Sequence, residues 1–294
     1  MTEATVRPRA PLQVMELAVE QLVRETPDTV TLVLERTEPA PTWKAGQFCT
    51  VDVHQFRALR SLVAYLEQAK GRKEPPRSYS LASAPHEGRV MLTVKEEPFL
   101  PGESAWPPLL SGHLVHGLRP GDRLKLTGFQ GPYVFPEDLA SRTEHVVHLV
   151  AGSGSVPNYA LLKDALHRGL PLRHTFVYSN RTWEDVCYRD ALAALERAHP
   201  DRLRVVHTLT REQDGSRFSD SVRQGRISEA LLRELVPDME TAWFYACGPA
   251  ITAWERRRAL ETGTAATPRF LETVLGHLHA LGVSDKRIKR EAYG

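Results

Sequence analysis

The stretch Arg77-Ser78-Tyr79-Ser80, continuing as Leu81-Ala82-Ser83-Ala84-Pro85, decides how the rest of the chain is read. It has the character of a short strand, and side chains along a strand alternate between its two faces. Arg77 and Tyr79 therefore share one face, with Ser80 on the other or at the point where the strand bends. A guanidinium offers a rigid fork of donors that matches phosphate oxygens, so Arg77 is suited to one end of a phosphorylated cofactor while Tyr79 packs against its flat part. Ser80 is then placed to give a hydrogen bond to a reacting ring nitrogen. An edge strand with a snorkelling arginine would carry the same four residues. What separates the two readings is the order of the segments on either side.

Upstream, Met15-Glu16-Leu17-Ala18-Val19-Glu20, Thr29-Val30-Thr31-Leu32-Val33-Leu34 and Gln47-Phe48-Cys49-Thr50-Val51-Asp52-Val53 alternate or are β-branched between turn signals. The strand at Arg77 is a fourth, Arg89 to Lys95 a fifth, and Arg123 to Gly128 a sixth, entered through Pro120-Gly121-Asp122. Six short strands at this spacing predict a small antiparallel barrel over 13–138, behind a flexible lead at 1–12. After Glu137-Asp138 the period changes, and strands begin to alternate with helices, the pattern of an α/β domain with a parallel sheet over 139–294. Its first strand, Val146 to Ala151, runs into Gly152-Ser153-Gly154-Ser155-Val156-Pro157 and a helix at 158–168. Such a turn aims helix-start amides at a phosphate, although any strand-to-helix turn has the same shape. Ser111 to Leu118 reads as a short helix capped by Ser111, a second place where amides suit an anion.

In this order the landmarks resemble the ferredoxin-NADP reductase family of flavoproteins, from about Met15 to Gly294. Arg-x-Tyr-Ser at 77–80 is similar to that family's flavin motif. Gly128-Phe129-Gln130-Gly131 resembles its Gly-Pro-x-Gly, with Phe129 for the proline, and 151–157 resembles its Gly-Gly-x-Gly-x-x-Pro, with Ala151 for the first glycine. Thr210-Arg211-Glu212 resembles Ser-Arg-Glu, Cys247-Gly248-Pro249 matches Cys-Gly-Pro, and Glu291-Ala292-Tyr293 resembles a terminal Glu-x-Tyr. The fold this implies is a six-stranded antiparallel FAD-binding barrel followed by a parallel-sheet α/β NAD(P)-binding domain.

The resemblance also implies roles. Ser80 would lie near the flavin nitrogen that accepts hydride, and Cys247 beside the nicotinamide carbon that gives it up. Tyr293 would stack on the flavin until nicotinamide displaces it, oriented by Glu291. Flavin binding falls to Arg77, Tyr79 and Ser80, with Val94 and Lys95 at the end of the fifth strand and Ser111 at the pyrophosphate, which favours FAD over FMN. Dinucleotide binding falls to Gly152, Gly154, Pro157, Arg181, Thr210, Arg211, Cys247, Gly248 and Pro249. A fixed guanidinium rewards a ribose 2′-phosphate, whereas NADH use more often calls for an acidic residue, so NADPH is favoured over NADH.

Composition agrees with a soluble two-domain protein and excludes several classes. The chain has 294 residues, 41% hydrophobic and 25% charged, with a formal net charge of +2 that argues against nucleic acid. No apolar run approaches the about 20 residues that cross a bilayer, and the polar start has no signal-peptide core, which predicts a cytoplasmic location. The three cysteines, Cys49, Cys187 and Cys247, are too scattered for a disulfide framework or an iron-sulfur cluster. His113/His116 and His277/His279 lack supporting ligands for a metal. Any one-electron centre therefore lies on another protein, and a ferredoxin, a flavodoxin or an oxygenase component is the expected acceptor. A free-flavin or quinone-type reductase is the alternative enzyme, and a non-catalytic nucleotide- or redox-sensing module the alternative of another class. Two insertions stand out. Residues 54–76 include a helix at 59–69 that would cover the adenine, shape a partner surface or simply elaborate the exterior, and 253–268 extend the segment after Cys-Gly-Pro.

Overall fold

In the computed structural model of the chain, residues 13–99 and 106–293 are described; the lead at 1–12 and Gly294 lie outside them. The first sheet holds β1 (Val14–Thr26), β2 (Thr29–Leu34), β3 (Phe48–Val51), β4 (Arg77–Ser80), β5 (Met91–Lys95) and β6 (Arg123–Gln130), in the order β4-β3-β6-β1-β2-β5. Every pairing is antiparallel. The two edges meet at a bridge between Leu81 and Leu92, backed by the Ala82 N–H donating to the Met91 carbonyl at 2.8 Å. That closure leaves no long unpaired edge.

The insertion before β4 carries α1 (Arg60–Lys70), close to the predicted helix. Its packing was not foreseen. Phe56, Leu59, Val63 and Leu66 join Leu17, Leu32, Leu92 and Leu124 in one apolar cluster, and Leu66 has no exposed surface. The insertion therefore caps the barrel core and is more than an exterior elaboration. Between β5 and β6 the predicted short helix is a π-turn at His113–Gly117 that has no side-chain cap. The hydroxyl of Ser111 instead accepts from the Glu97 N–H at 3.1 Å.

The second sheet is wholly parallel, in the order β10-β9-β8-β7-β11-β12. The chain passes through α2 (Leu139–Arg142), β7 (His145–Ala151), α3 (Ser155–His167), β8 (Arg173–Asn180), α4 (Arg189–Ala198) and β9 (Leu203–Leu209). It continues through β10 (Val222–Gln224), α5 (Glu229–Leu235), β11 (Trp243–Pro249), α6 (Ala253–Thr262), α7 (Phe270–Ala280) and β12 (Ile288–Tyr293). Every residue of β7 is buried, as expected of a strand covered on both faces. α5 and α7 cover one face through Leu232, Val274 and Leu278, and α3 and α4 cover the other through Leu162, Leu166 and Leu192. β12 carries the Glu291-Ala292-Tyr293 segment, for which the sequence predicted no strand. It runs along β11 so that Glu291 faces Cys247 and Tyr293 faces Pro249. Among the described residues, no helix is long and apolar enough to cross a membrane.

The role of the insertion in the core is testable. Leu66→Ala is expected to lower stability by about 2–5 kcal/mol, as for other buried leucines. Tyr65→Ala, one residue away but 60% exposed, should stay within about 0.5 kcal/mol. Urea unfolding of the two variants would check the contrast.

Candidate functional site

The ends of β4 and β5 in the barrel meet the ends of β11 and β12 in the parallel sheet, and a cavity of about 300 Å³ opens there. Tyr79, Phe48 and Tyr293 give it aromatic walls, and Val94, Lys95 and Ser153 line its far side. Ser80 donates to Glu291 Oε1 at 2.8 Å across the two halves. Cys247 is fully buried behind Glu291, its Cα partner on the neighbouring strand. Burial, with the Glu291 carboxylate close by, pushes the Cys247 thiol well above its ordinary range, so it stays a thiol. Burial likewise raises the Glu291 carboxyl, opposed by the Ser80 hydrogen bond, and raises the Tyr293 phenol. An aromatic slot with one hydroxyl–carboxyl pair at its edge suits a flat heterocycle that needs a proton held nearby.

A second cavity, of about 450 Å³, begins where the first ends, and Lys95 and Ser153 border both. It lies over the carboxyl ends of β7, β8 and β9, where open parallel sheets hold ligands. Gly152 sits at its floor with φ +52°, a left-handed conformation, and open space where a Cβ would stand. Arg181, Arg211 and Arg226 ring the cavity, and among the described residues none of the three is bonded to a carboxylate. Asp185 also lines it, but its Oδ2 is engaged by the Thr182 N–H and hydroxyl, both at 3.0 Å. Thr210 lines the wall and donates through its hydroxyl to the Asn180 carbonyl at 3.2 Å. Unpaired guanidiniums around a polar hollow suit phosphate groups.

Residues singled out in the sequence divide into four sets. Tyr79, Ser80, Val94, Lys95, Glu291 and Tyr293 line the first cavity, and Gly152, Arg181, Thr210, Arg211 and Pro249 line the second. Cys247, Gly154, Pro157 and Gly248 lie buried behind these walls. A Cβ on Gly154 would stand 2.4 Å from the Cys247 carbonyl oxygen, so the close approach of loop to strand itself requires glycine there. Arg77 and Ser111 stand apart from both cavities. Arg77 turns back onto its own lead, donating to Glu74 Oε2 at 2.6 Å and to the Pro75 carbonyl. Glu74 is buried and also paired with Lys70 at 2.5 Å, so the trio keeps one net positive charge.

Several lining residues were missed. Phe48 pairs with Ser80 across β3 and β4, a register no local pattern reveals. Asn180 is 6% exposed and neither polar atom of its amide has a partner, at the rim of the second cavity. A lone amide ending an otherwise buried strand was the available signal, because buried polar groups are ordinarily satisfied.

With this geometry in hand, the comparisons are specific. Residues 149–253 match the oxidoreductase NAD-binding domain family. The flavohem-like FAD/NAD-binding domain of nitric oxide dioxygenase from Vibrio cholerae superposes with a TM-score of 0.70 at 23% identity, over 95% of this chain and 98% of that one. The chain is similar, in its two-domain fold and in sequence, to members of the ferredoxin-NADP reductase-like family. Among curated relatives in that family, the ferredoxin reductase component of a 3-ketosteroid-9-alpha-monooxygenase from Mycolicibacterium smegmatis is 32% identical over 67% of this chain and 50% of its own length. An NADPH oxidoreductase from Mycobacterium tuberculosis is 32% identical over 59% of this chain and 40% of its own. The chain thus spans about half the length of these two relatives. Within the described residues no group of three or more histidine, cysteine or acidic side chains is placed to hold a metal ion.

The raised carboxyl at Glu291 has a measurable consequence. A group that binds its proton more tightly when folded than when unfolded makes the native state lose stability as pH rises from its ordinary value, 4.5 here, through the raised one. In cofactor-free protein Glu291 alone therefore lowers the thermal midpoint over that window, against the buried His148, His174 and His207, whose depressed pKa values raise it as pH climbs toward 6.5, so the contribution is read as the difference between parent and variant. Glu291→Gln, which keeps an acceptor for Ser80 but has no proton to lose, should remove that contribution from the profile.

Proposed function

We propose that the chain is a flavin-dependent reductase that takes hydride from NADPH, in preference to NADH, onto a bound FAD and delivers electrons to a separate small redox protein. The observation that carries this reading is the pair of adjoining cavities that share Lys95 and Ser153. One is walled by Tyr79 and Tyr293 with the Ser80–Glu291 pair at its edge, and the other is ringed by Arg181, Arg211 and Arg226. The residues present fit both groups. Tyr79 and Phe48 would flank a flavin ring, Lys95 would sit where the two ligands meet, and the three arginines would take the phosphates of the dinucleotide. A bound flavin supplies the ability to accept two electrons together and release them singly.

The chain's own residues have a positioning task. Ser80 and Glu291 would hold a proton at the edge of the first cavity, with Ser80 donating and the raised Glu291 carboxyl able to keep or return the proton. Tyr293 occupies the slot beside Cys247 and excludes water from it. With Tyr293 displaced, the thiol of Cys247, buried in its presence, would offer a small, uncharged surface to a nicotinamide ring, and effective transfer then follows from alignment and a dry site. Arg77 would use the guanidinium donors left free by Glu74 and Pro75 for the cofactor's phosphates. The NADPH preference is supported by the absence of a free acidic side chain among those lining the second cavity, since Asp185 is committed to the Thr182 turn. The three cysteines are buried and unpaired, which supports a reducing, cytoplasmic setting.

Anaerobic visible spectra of FAD-reconstituted protein test the reading directly. A bound flavin band that bleaches with stoichiometric NADPH is expected, and a colourless protein that takes up no FAD would overturn the proposal. Loss of one charge-assisted contact to phosphate is worth roughly 1.5–3 kcal/mol. Arg211→Ala should accordingly raise the KM for NADPH about 10- to 100-fold while leaving that for NADH within about twofold, and equal effects on both would assign Arg211 to structure alone.

A further inference from the structure

At the start of α4, the seam between barrel and parallel sheet is bridged by a side chain held in a costly conformation. Tyr188, the residue before α4, has φ +56° and ψ +21°, left-handed values that a side chain with a Cβ adopts at a cost of about 1–2 kcal/mol. It is 7% exposed, and its ring stacks on Tyr159 of α3 at a centroid distance of 4.2 Å and an angle of 14°. From that position it completes a closed ring of hydrogen bonds with three strands of the barrel. The Tyr188 hydroxyl donates to Thr93 Oγ1 on β5. Thr93 and Thr31 on β2 are joined Oγ1 to Oγ1 at 2.7 Å, and the Thr31 hydroxyl donates to Glu25 Oε1 on β1 at 2.7 Å. Glu25 Oε2 then accepts the Tyr188 N–H at 3.1 Å.

The directions are mutually consistent. With Thr31 giving its only proton to Glu25, Thr93 must donate to Thr31, and Tyr188 must donate to Thr93. Each hydroxyl gives one bond and takes one, except the phenol, whose donor end starts the chain. Burial holds that phenol far above its ordinary range, so it remains a donor wherever the protein is folded. The ring spans the two halves and ends on Thr93, which also lines the first cavity beside Val94 and Lys95. A left-handed tyrosine persists only where its surroundings over-determine it, and here both its backbone N–H and its hydroxyl are held by the other half of the molecule.

We propose that Tyr188 is a positioning residue, which fixes the parallel sheet against the barrel and, through Thr93, sets the wall of the first cavity relative to the second. This rests on the reading of those cavities as flavin and dinucleotide sites. Hydride transfer depends on a donor and acceptor held in near contact, so a seam with one fixed register serves the reaction without touching either ligand.

Tyr188→Phe tests this most cleanly, because it keeps the ring, the stack on Tyr159 and the N–H to Glu25 while leaving the Thr93 hydroxyl without its donor. Thr31→Val breaks the same ring from the barrel side, at a position outside both cavities. In FAD-reconstituted protein each variant is expected to slow the limiting rate of flavin reduction about 5- to 20-fold, with the FAD dissociation constant within about twofold of the parent. The double variant should be no slower than the worse single, as expected of residues acting as a unit. Independently of turnover, hydrogen exchange should quicken in both variants at the amides of β5 and of the first turn of α4. Unchanged exchange at both places, additive losses in the double variant, or a rate loss matched by lost FAD affinity would each overturn the proposal. A parent protein whose bound flavin is not bleached would sink the reductase reading instead, and the exchange data would then decide the role of Tyr188 alone.

Discussion

The hydrogen bond from Ser80 to Glu291 joins residues 211 positions apart and is the constraint to which the rest of the architecture answers. For it to form, β4 must end at the rim of a closed barrel and β12 must run along β11 to the same rim. The barrel closes through the Leu81–Leu92 bridge immediately after Ser80. The last strand reaches its place because parallel pairing with β11 puts Glu291 beside Cys247. A carboxyl held there is desolvated, which raises its pKa, and the hydrogen bond from Ser80 opposes that rise.

The motifs that meet at the crevice were legible because they are short, local and rich in residues with few structural uses. Arg-Ser-Tyr-Ser, Cys-Gly-Pro and Glu-Ala-Tyr each place a particular side chain at a strand end, and strands with β-branched alternation announce themselves. What was not legible is non-local. β12 reads as Ile-Lys-Arg-Glu-Ala-Tyr, a charged segment with one buried residue, and it is a strand because β11 offers an edge. The apolar stripe of α1 could be read, but which surface it would meet depended on the barrel having an open end to cover. Ser111 looked like a helix cap, and lost that role to the N–H of Glu97, a partner supplied by the turn of the chain 14 residues earlier.

The two cavities differ in how they are held. Around the first, the aromatic walls come from both halves, so its shape is a property of their juxtaposition. Around the second, every lining residue but Lys95 belongs to the parallel sheet and its connections. The second cavity is therefore built by one half alone, while the first exists only when both halves are in register. Lys95, tied to Asp28 by two contacts of 2.6 Å, stands at that boundary with its charge already balanced.

The three unpaired cysteines are distributed among three different parts of the fold. Cys49 lies in the barrel with its thiol pushed up to about 12 by burial, Cys187 lies next to Tyr188 at the seam with its thiol pushed up to about 11, and Cys247 lies behind the crevice. None reacts while shielded, because the thiolate is the nucleophile. The native chain thus carries three silent reporters, and the order in which they become alkylated as the protein is warmed would spell out which part gives way first.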